Sequence, residues 1–258
     1  MVQKDAYEAL EHKIMALREN SRTGDERKTL DEVFDAQTIL GIYKLMTEGV
    51  IDTIQYPVST GKEGNVFAAE NADGKLVALK IYRTSNASFN RIARYIEGDK
   101  RFTGLTGNRR KMIFAWALKE FRNLQRLKDA GIRVPAPIRF HRNMLVMQYI
   151  GNRRGPAPLL RNVVLDDPEA VYKTIVEYMR IAYQDAKLVH ADLSEYNILY
   201  YLKKPVIIDV GQAVLTEHIN AKDFLRRDIG NVNRYFRNLD VDIMDKEEVF
   251  LVVTGESQ

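Results

Sequence analysis

Apolar residues recur at helical spacing in several stretches of the chain, and between them alternate singly along short runs. Val33, Phe34, Ala36, Ile39, Leu40, Tyr43 and Leu45 follow the helical period, and Thr29 to Glu32 ("TLDE") fits a capping box, so the spacing predicts a packed helix from about Leu30 to Glu48. Residues 1–28 are rich in charge and predict a further helix with a frayed end. From Ile51 to Tyr82 the period shortens to two: strand, glycine loop, strand, a turn at Asn71 to Gly74, strand. This is an antiparallel sheet.

A second helix is predicted with Phe114, Ala117, Leu118, Phe121, Leu124 and Leu127 on one face and Gly131 as its stop. "VPAPIRFHRNMLVMQYIG" then reads as a hairpin that exits into a Gly/Arg/Pro connection, Gly151 to Pro158. Asp167 and Pro168 open a helix to about Lys187, Val189 to Ala213 contains another hairpin, and "AKDFLRRDIGNVNRYFRNL" is helical again. No internal repeat is visible. The pattern predicts an α+β protein in three parts: a helical extension over 1–48, a sheet-bearing lobe over 49–150, and a mainly helical lobe over 151–258.

Charge changes the picture in one place. Residues 83–111 carry Arg91, Arg94, Lys100, Arg101, Arg109, Arg110 and Lys111 against only Glu97 and Asp99, a basic and weakly periodic insertion expected to be functional or mobile. Net charge is +4 and the pI near 9.0, which permits a polyanionic partner without requiring one. The absence of cysteine excludes disulfides and thiolate metal sites, and four histidines make a histidine zinc site a poor expectation. No run approaches the roughly 18 apolar residues of a membrane helix, and the charged N-terminus does not resemble a signal peptide. A cytoplasmic protein is expected, and the cysteine-free, charge-rich composition suits a thermophilic prokaryote or an archaeon.

Candidate chemistry concentrates in "VHADLSEYNILYYLKKPVIIDVGQA", where polar His190, Asp192, Asn197 and Asp209 interrupt apolar strand residues. Asp192 and Asn197 have the spacing with which protein kinases present a carboxylate to a hydroxyl and an amide oxygen to a metal. Taken alone, a structural Asx-turn explains that spacing better. Asp209 shifts the balance, because a carboxylate ending the apolar run "VIID" is costly unless paired or bound to a cation. Upstream, "STGKEGNVF" is a degenerate glycine-rich loop with Ser59 in place of a first glycine, and it is not a Walker loop, since Glu63 follows Lys62. Lys80 in "VALKIY" points away from the face of Val77, Leu79 and Ile81, and Glu120 stands mid-helix as its possible carboxylate. Each signal has a bland reading, but their order is the one a kinase requires.

The stretches "STGKEGNVF", "LKIYR", "NRRKMIFAWALKEFRNL", "LVMQYIG", "PAPLL", "LVHADLSEYNIL", "IIDVGQAV" and "FLRRDIGNVNRYF" resemble the RIO family of atypical protein kinases, and within it the first subfamily, over about Thr29 to Phe236. The resemblance implies a bilobal kinase-like fold with Asp192 as catalytic aspartate. Asn197 and Asp209 become ligands of Mg²⁺ or Mn²⁺, and Lys80 with Glu120 the phosphate-positioning pair. Ser59, Thr60, Gly61, Lys62, Glu63, Gly64 and Val66 would cover ATP. Met147 would stand behind the adenine, Gln148, Tyr149 and Ile150 would form its hinge, and Val58, Val66, Ala78 and Ile208 would sandwich it, with Glu195 also at the nucleotide. No Ala-Pro-Glu follows Asp209, so an extended activation segment is not expected.

Serine autophosphorylation, ATP hydrolysis and a role in late maturation of the small ribosomal subunit are further implications, with the subunit precursor as partner and neither DNA nor membrane involved. Phosphorylation of Asp209 itself would make the cycle an ATPase switch. Ser85, Ser88, Thr103 and Thr106 are acceptor candidates by position. Two rivals are a pseudokinase-like module that docks on ribosomal RNA or protein, and a small-molecule kinase of the aminoglycoside or choline type. The joint presence of Lys80, Asp192, Asn197 and Asp209 argues against the first, and the short chain after Asp209 against the second.

Overall fold

The computed structural model describes residues 33–61, 64–84 and 109–256. The predicted helix over 1–28, the capping box at Thr29 to Glu32, Lys62, Glu63 and most of the basic insertion with its four hydroxyl residues lie outside them. Two compact units are present, and helix α2 contributes to both, dividing between Leu118 and Lys119.

The first unit holds helix α1 (Ala36–Thr47) and strands β1 (Thr53–Thr60), β2 (Gly64–Glu70), β3 (Leu76–Tyr82), β4 (Pro137–His141) and β5 (Met144–Gln148). The strands form one antiparallel sheet in the order β1-β2-β3-β5-β4. Helix α1 starts later than the predicted Leu30, because the Asp35 carboxylate accepts from Thr38 N at 2.7 Å and caps the helix there. Val33 and Phe34 enter the core instead of lying on the helix face, with the Phe34 and Phe67 rings 5.2 Å apart.

Strand alternation sorts the two faces of the sheet. Phe67, Ala69, Val77, Leu79, Ile81 and Val146 join Ile42 and Leu45 of α1 in the main core. The opposite face carries a smaller apolar patch of Ala68, Ala78 and Tyr149, with Val58, Val66, Leu76 and Met147 packed against it. Asn143, in the β4–β5 turn, is buried because its amide donates to Tyr82 O at 2.9 Å and to Thr38 Oγ1 at 3.2 Å.

Helix α2 spans Arg109–Asp129. Its buried face is Ile113, Trp116, Ala117, Glu120, Asn123, Leu124 and Leu127, whereas the predicted Phe114, Leu118 and Phe121 are only half-buried. The polar residues Lys119, Glu120 and Asn123 turn inward, which rotates the buried stripe away from the purely apolar one.

In the second unit, the two-stranded ribbon β6 (Gly151–Asn152) and β7 (Gly155–Pro156) is followed by helix α3 (Pro168–Gln184), short strand β8 (Leu188–Val189), hairpin β9 (Ile198–Tyr201) and β10 (Lys204–Ile207), short strand β11 (Val214–Leu215), and helices α4 (Ala221–Arg237) and α5 (Lys246–Thr254). Asp167 caps α3 through Ala170 N at 2.9 Å, with Pro168 in its first turn. Helix α5 packs on α3 and α4, and the Tyr172 hydroxyl donates to Asn233 Oδ1 at 3.0 Å between α3 and α4. Only the short stretch Val210 to Asn220 separates Asp209 from α4, so no extended activation segment is present.

Candidate active site

The β9–β10 hairpin sets the position of the second unit's polar cluster. Ile198 pairs with Ile207, and Ile208 N donates to Asn197 O at 3.0 Å, so Asn197 and Asp209 leave the same end of the hairpin. Asn197 Nδ2 donates to Asp192 O at 2.7 Å and to Asp192 Oδ2 at 3.2 Å. With its amide nitrogen turned inward, the side-chain oxygen is the atom left for a cation. The two residues singled out by spacing, Asp192 and Asn197, are therefore joined by a hydrogen bond, and strand-end Asp209 leaves the hairpin beside them.

Two of the backbone conformations here are ones that L-residues seldom adopt: Ala191 has φ 66° and Asp209 φ 59°. Partners on neighbouring elements hold them. Asp228, buried on α4, accepts from Ala191 N at 2.8 Å and Leu193 N at 3.0 Å, and thereby fixes the backbone on both sides of Asp192. Arg227 donates to Ala191 O, and Asn231 Nδ2 to Leu193 O at 3.2 Å. On the other side, buried Asn123 donates to Val210 O at 2.8 Å and to Ala213 O at 3.4 Å, holding the chain just after Asp209. His190 bridges the two loops with its ring Nε2 3.0 Å from Ile208 O.

Electrostatics follow burial. Desolvation raises the Asp192 pKa, opposed by His190 and reinforced by Asp209, so the carboxyl is a better proton acceptor than a surface aspartate. Burial lowers that of His190, favouring neutral imidazole. Burial also pushes Asp228 up to about 7 against the pull of its two amide donors and Arg227.

Among the described residues no group of three His, Cys, Asp or Glu side chains stands together as a metal cage. The donors present, one amide oxygen and one carboxylate, are instead of the kind a hard divalent ion takes when waters and phosphate oxygens complete its shell. This donor set fits Mg²⁺ or Mn²⁺ with a phosphorylated ligand.

In the first unit, strand register arranges the remaining predicted residues. Val66, Lys80 and Leu145 are successive cross-strand partners, and so are Ala68, Ala78 and Met147 one row further from the glycine loop. Lys80 thus shares a face with Ala78 and Val66, its Nζ 5.1 Å from the Tyr82 ring centroid. Ser59 and Thr60 end β1, Gly61 N donates to Gly64 O at 3.0 Å across the loop, and Gly64 begins β2. A Cβ on Gly64 would lie 2.5 Å from Ile81 O, so only glycine lets β2 and β3 approach there. Gln148 is exposed at the end of β5, followed by buried Tyr149 and Ile150. Lys80 and Glu120 fall in different units, while Glu195 and Ile208 belong to the second-unit loops.

Sequence reasoning missed Asp228, Arg227, Asn231 and Asn123. A signal was present for two of them. Asp228 is in phase with the apolar stripe Leu225, Ile229, Val232 and Phe236 of α4, and Asn123 with Trp116, Leu124 and Leu127 of α2. A charged or amide group on a buried stripe marks a partner to be found.

The sheet-plus-helices architecture is that of the kinase-like α+β fold. Its solved relatives include the Rio2 kinase of Chaetomium thermophilum, described as an ADP/Mg²⁺-phosphoaspartate complex, with TM-score 0.66 and 24% identity over 84% of this chain and 66% of that one. The RIO domain family model matches residues 65–249. The chain is 45% identical over 236 residues to human serine/threonine-protein kinase RIO1, covering 90% of this chain and 42% of that protein. With the RIO-type serine/threonine-protein kinase Rio1 of Haloferax volcanii it shares 43% identity over 235 residues, 91% of this chain and 80% of the relative. The chain belongs to the RIO family, and these relatives are of its RIO1 type. It spans less than half the length of its human relative.

Proposed function

We propose that the protein transfers the γ-phosphoryl group of ATP to a serine hydroxyl, its own included, or to water. The observation that carries this reading is the Asp192 carboxylate bonded at 3.2 Å to Asn197, in a loop whose amides on either side are fixed by Asp228. Asp192 accepts the proton of the attacking hydroxyl as its oxygen bonds to the γ-phosphorus and the bond to the β-bridging oxygen breaks, releasing ADP. Burial, which raises the affinity of Asp192 for a proton, supports that role. Asn197 and Asp209 would hold Mg²⁺ or Mn²⁺, which when bound offsets charge on the phosphate oxygens. Within the first unit Lys80 would contact the phosphates, Ser59, Thr60, Gly61 and Gly64 would cover them, and Val66, Ala78 and Met147 would flank the base.

Incubation with γ-labelled ATP and Mg²⁺, scoring labelled protein and released phosphate, tests this reading. Asp192→Ala should keep nucleotide binding while transfer falls by about 10²-fold or more. Wild type that binds ATP and transfers nothing would overturn it in favour of a nucleotide-binding module. Acid-stable label on serine distinguishes the kinase cycle from one passing through an acid-labile phosphoaspartate at Asp209. Action in the cytoplasm on small ribosomal subunit precursors is a further proposal, supported by family membership and by the basic insertion.

A further inference from the structure

The hydroxyls of Tyr56, on β1, and Tyr149, just after β5, lie 3.0 Å apart, although β1 and β5 are not neighbours. Tyr56 is on β1, whose partner there is Ala68; Ala68 pairs with Ala78, and Ala78 with Met147 of β5. Tyr149 lies two residues beyond Met147 on the same face. Three strand spacings, about 14 Å, separate β1 from β5. Two tyrosines joined by one hydrogen bond span that width beside a patch that holds the small residues Ala68 and Ala78. Tyr149 is buried in the patch with Ala68 and Ala78, while Tyr56 is 37% exposed and reaches in from the edge strand. Burial and the bond to Tyr56 both raise the Tyr149 pKa, so this hydroxyl keeps its proton.

We propose that the Tyr56–Tyr149 pair is a clamp on the base-binding face, closing the end of the apolar patch remote from Lys80 and tying the edge strand to the segment after β5. This rests on the reading of the patch as the seat of the purine. Lys80 lies one row toward the glycine loop, so phosphates and base occupy opposite ends of one sheet face, and the clamp bears on the base alone. Tyr56 is a positioning residue: it acts by holding Val58 and the strand that carries it against the apolar patch.

Removal of the hydroxyl in Tyr56→Phe leaves packing intact and should raise the KM for ATP about three- to tenfold, the range of one neutral hydrogen bond, with turnover at saturating ATP unchanged. Binding of inorganic tripolyphosphate, which has no base, should not change. Tyr149→Phe should lose ATP affinity equally, and the double variant no more than either single one. If wild type binds ATP and tripolyphosphate equally tightly, the seat of the base is misplaced. If wild type prefers ATP but Tyr56→Phe matches it in KM, the clamp is wrong and the seat stands. Equal losses for ATP and tripolyphosphate would reduce the pair to general support of the sheet, and would also overturn the proposal.

Discussion

The residue that most repays attention is Asp228, which touches no predicted reactant yet accepts hydrogen bonds from the amides on both sides of Asp192. Removing it in Asp228→Ala strands two buried donors and should cost about 3 kcal/mol, read as a shift in the urea midpoint. Its pH dependence has a definite sign. The folded chain holds this proton up to about pH 7, whereas an unfolded aspartate releases it near pH ~4. Folding therefore takes up a proton between those values, and the group's contribution to stability, complete below about pH 4, is lost as pH rises through about 7. Between pH 5 and 8 wild type should lose more stability than Asp228→Asn, which has no such proton. Parallel losses in the two proteins would show that the carboxyl is ionised throughout. Asn123 carries the matching task behind Asp209, and Asn123→Ala should cost about 1 kcal/mol by removing the shorter of the two hydrogen bonds to Val210 O, the other coming from Ala213 N at 3.2 Å, measured the same way.

At the scale of elements, the approach of β2 to β3 is the feature most sensitive to one atom. Gly64→Ala puts a methyl group 2.5 Å from Ile81 O, so the strands must part. A cost of about 1–3 kcal/mol is expected, with weaker ATP binding because the glycine loop, proposed to cover the phosphates, is re-aimed. Gly74→Ala is the control: its φ of 72° strains an alanine, but open space surrounds it, so stability falls by up to about 1 kcal/mol while ATP affinity holds. If both variants bind ATP alike, closeness at Gly64 is structural only. The β3 alternation, the turn at Asn71 to Gly74, the Asp167-Pro168 start and the β9–β10 hairpin were all legible, because each is written in residue period or turn chemistry. Helix α5 was not, since "EEVFLVV" has the β-branched look of a strand; Asp245 capping Glu247 N at 2.8 Å and left-handed Gly255 make it a helix. The left-handed backbone of Ala191, Asp209, Leu202 and Lys203 was likewise hidden, because none of these is glycine or asparagine: tertiary bonds hold the conformation around Ala191 and Asp209, and the two-residue β9–β10 turn requires it at Leu202 and Lys203. Spacing singled out Asp192 and Asn197 as candidates, and the end of an apolar strand singled out Asp209, but the α4 and α2 groups that hold their loops are far away in sequence and lie on stripes read as apolar.

For the whole molecule the informative quantity is the distribution of charge. The net charge of +4 is small, yet residues 83–111 carry eight Lys and Arg against two acids, so the excess lies in one segment. A partner rich in phosphates is the natural complement, and single-stranded ribosomal RNA is the one the family reading proposes. Each phosphate neutralised on such RNA releases a counterion and adds about 0.7 to the slope of log affinity against log salt. Replacing Arg91, Arg94, Lys100 and Arg101 with alanine removes four cations, so the slope should shallow by up to about 3. Titration of a fluorescent ribosomal RNA fragment between 50 and 300 mM salt, wild type beside the fourfold variant, measures this directly. Phosphoryl transfer to water should be unaffected, since none of the four residues belongs to the proposed site. Identical slopes would place RNA contact elsewhere on the chain, and binding insensitive to salt would remove the electrostatic basis for an RNA partner altogether.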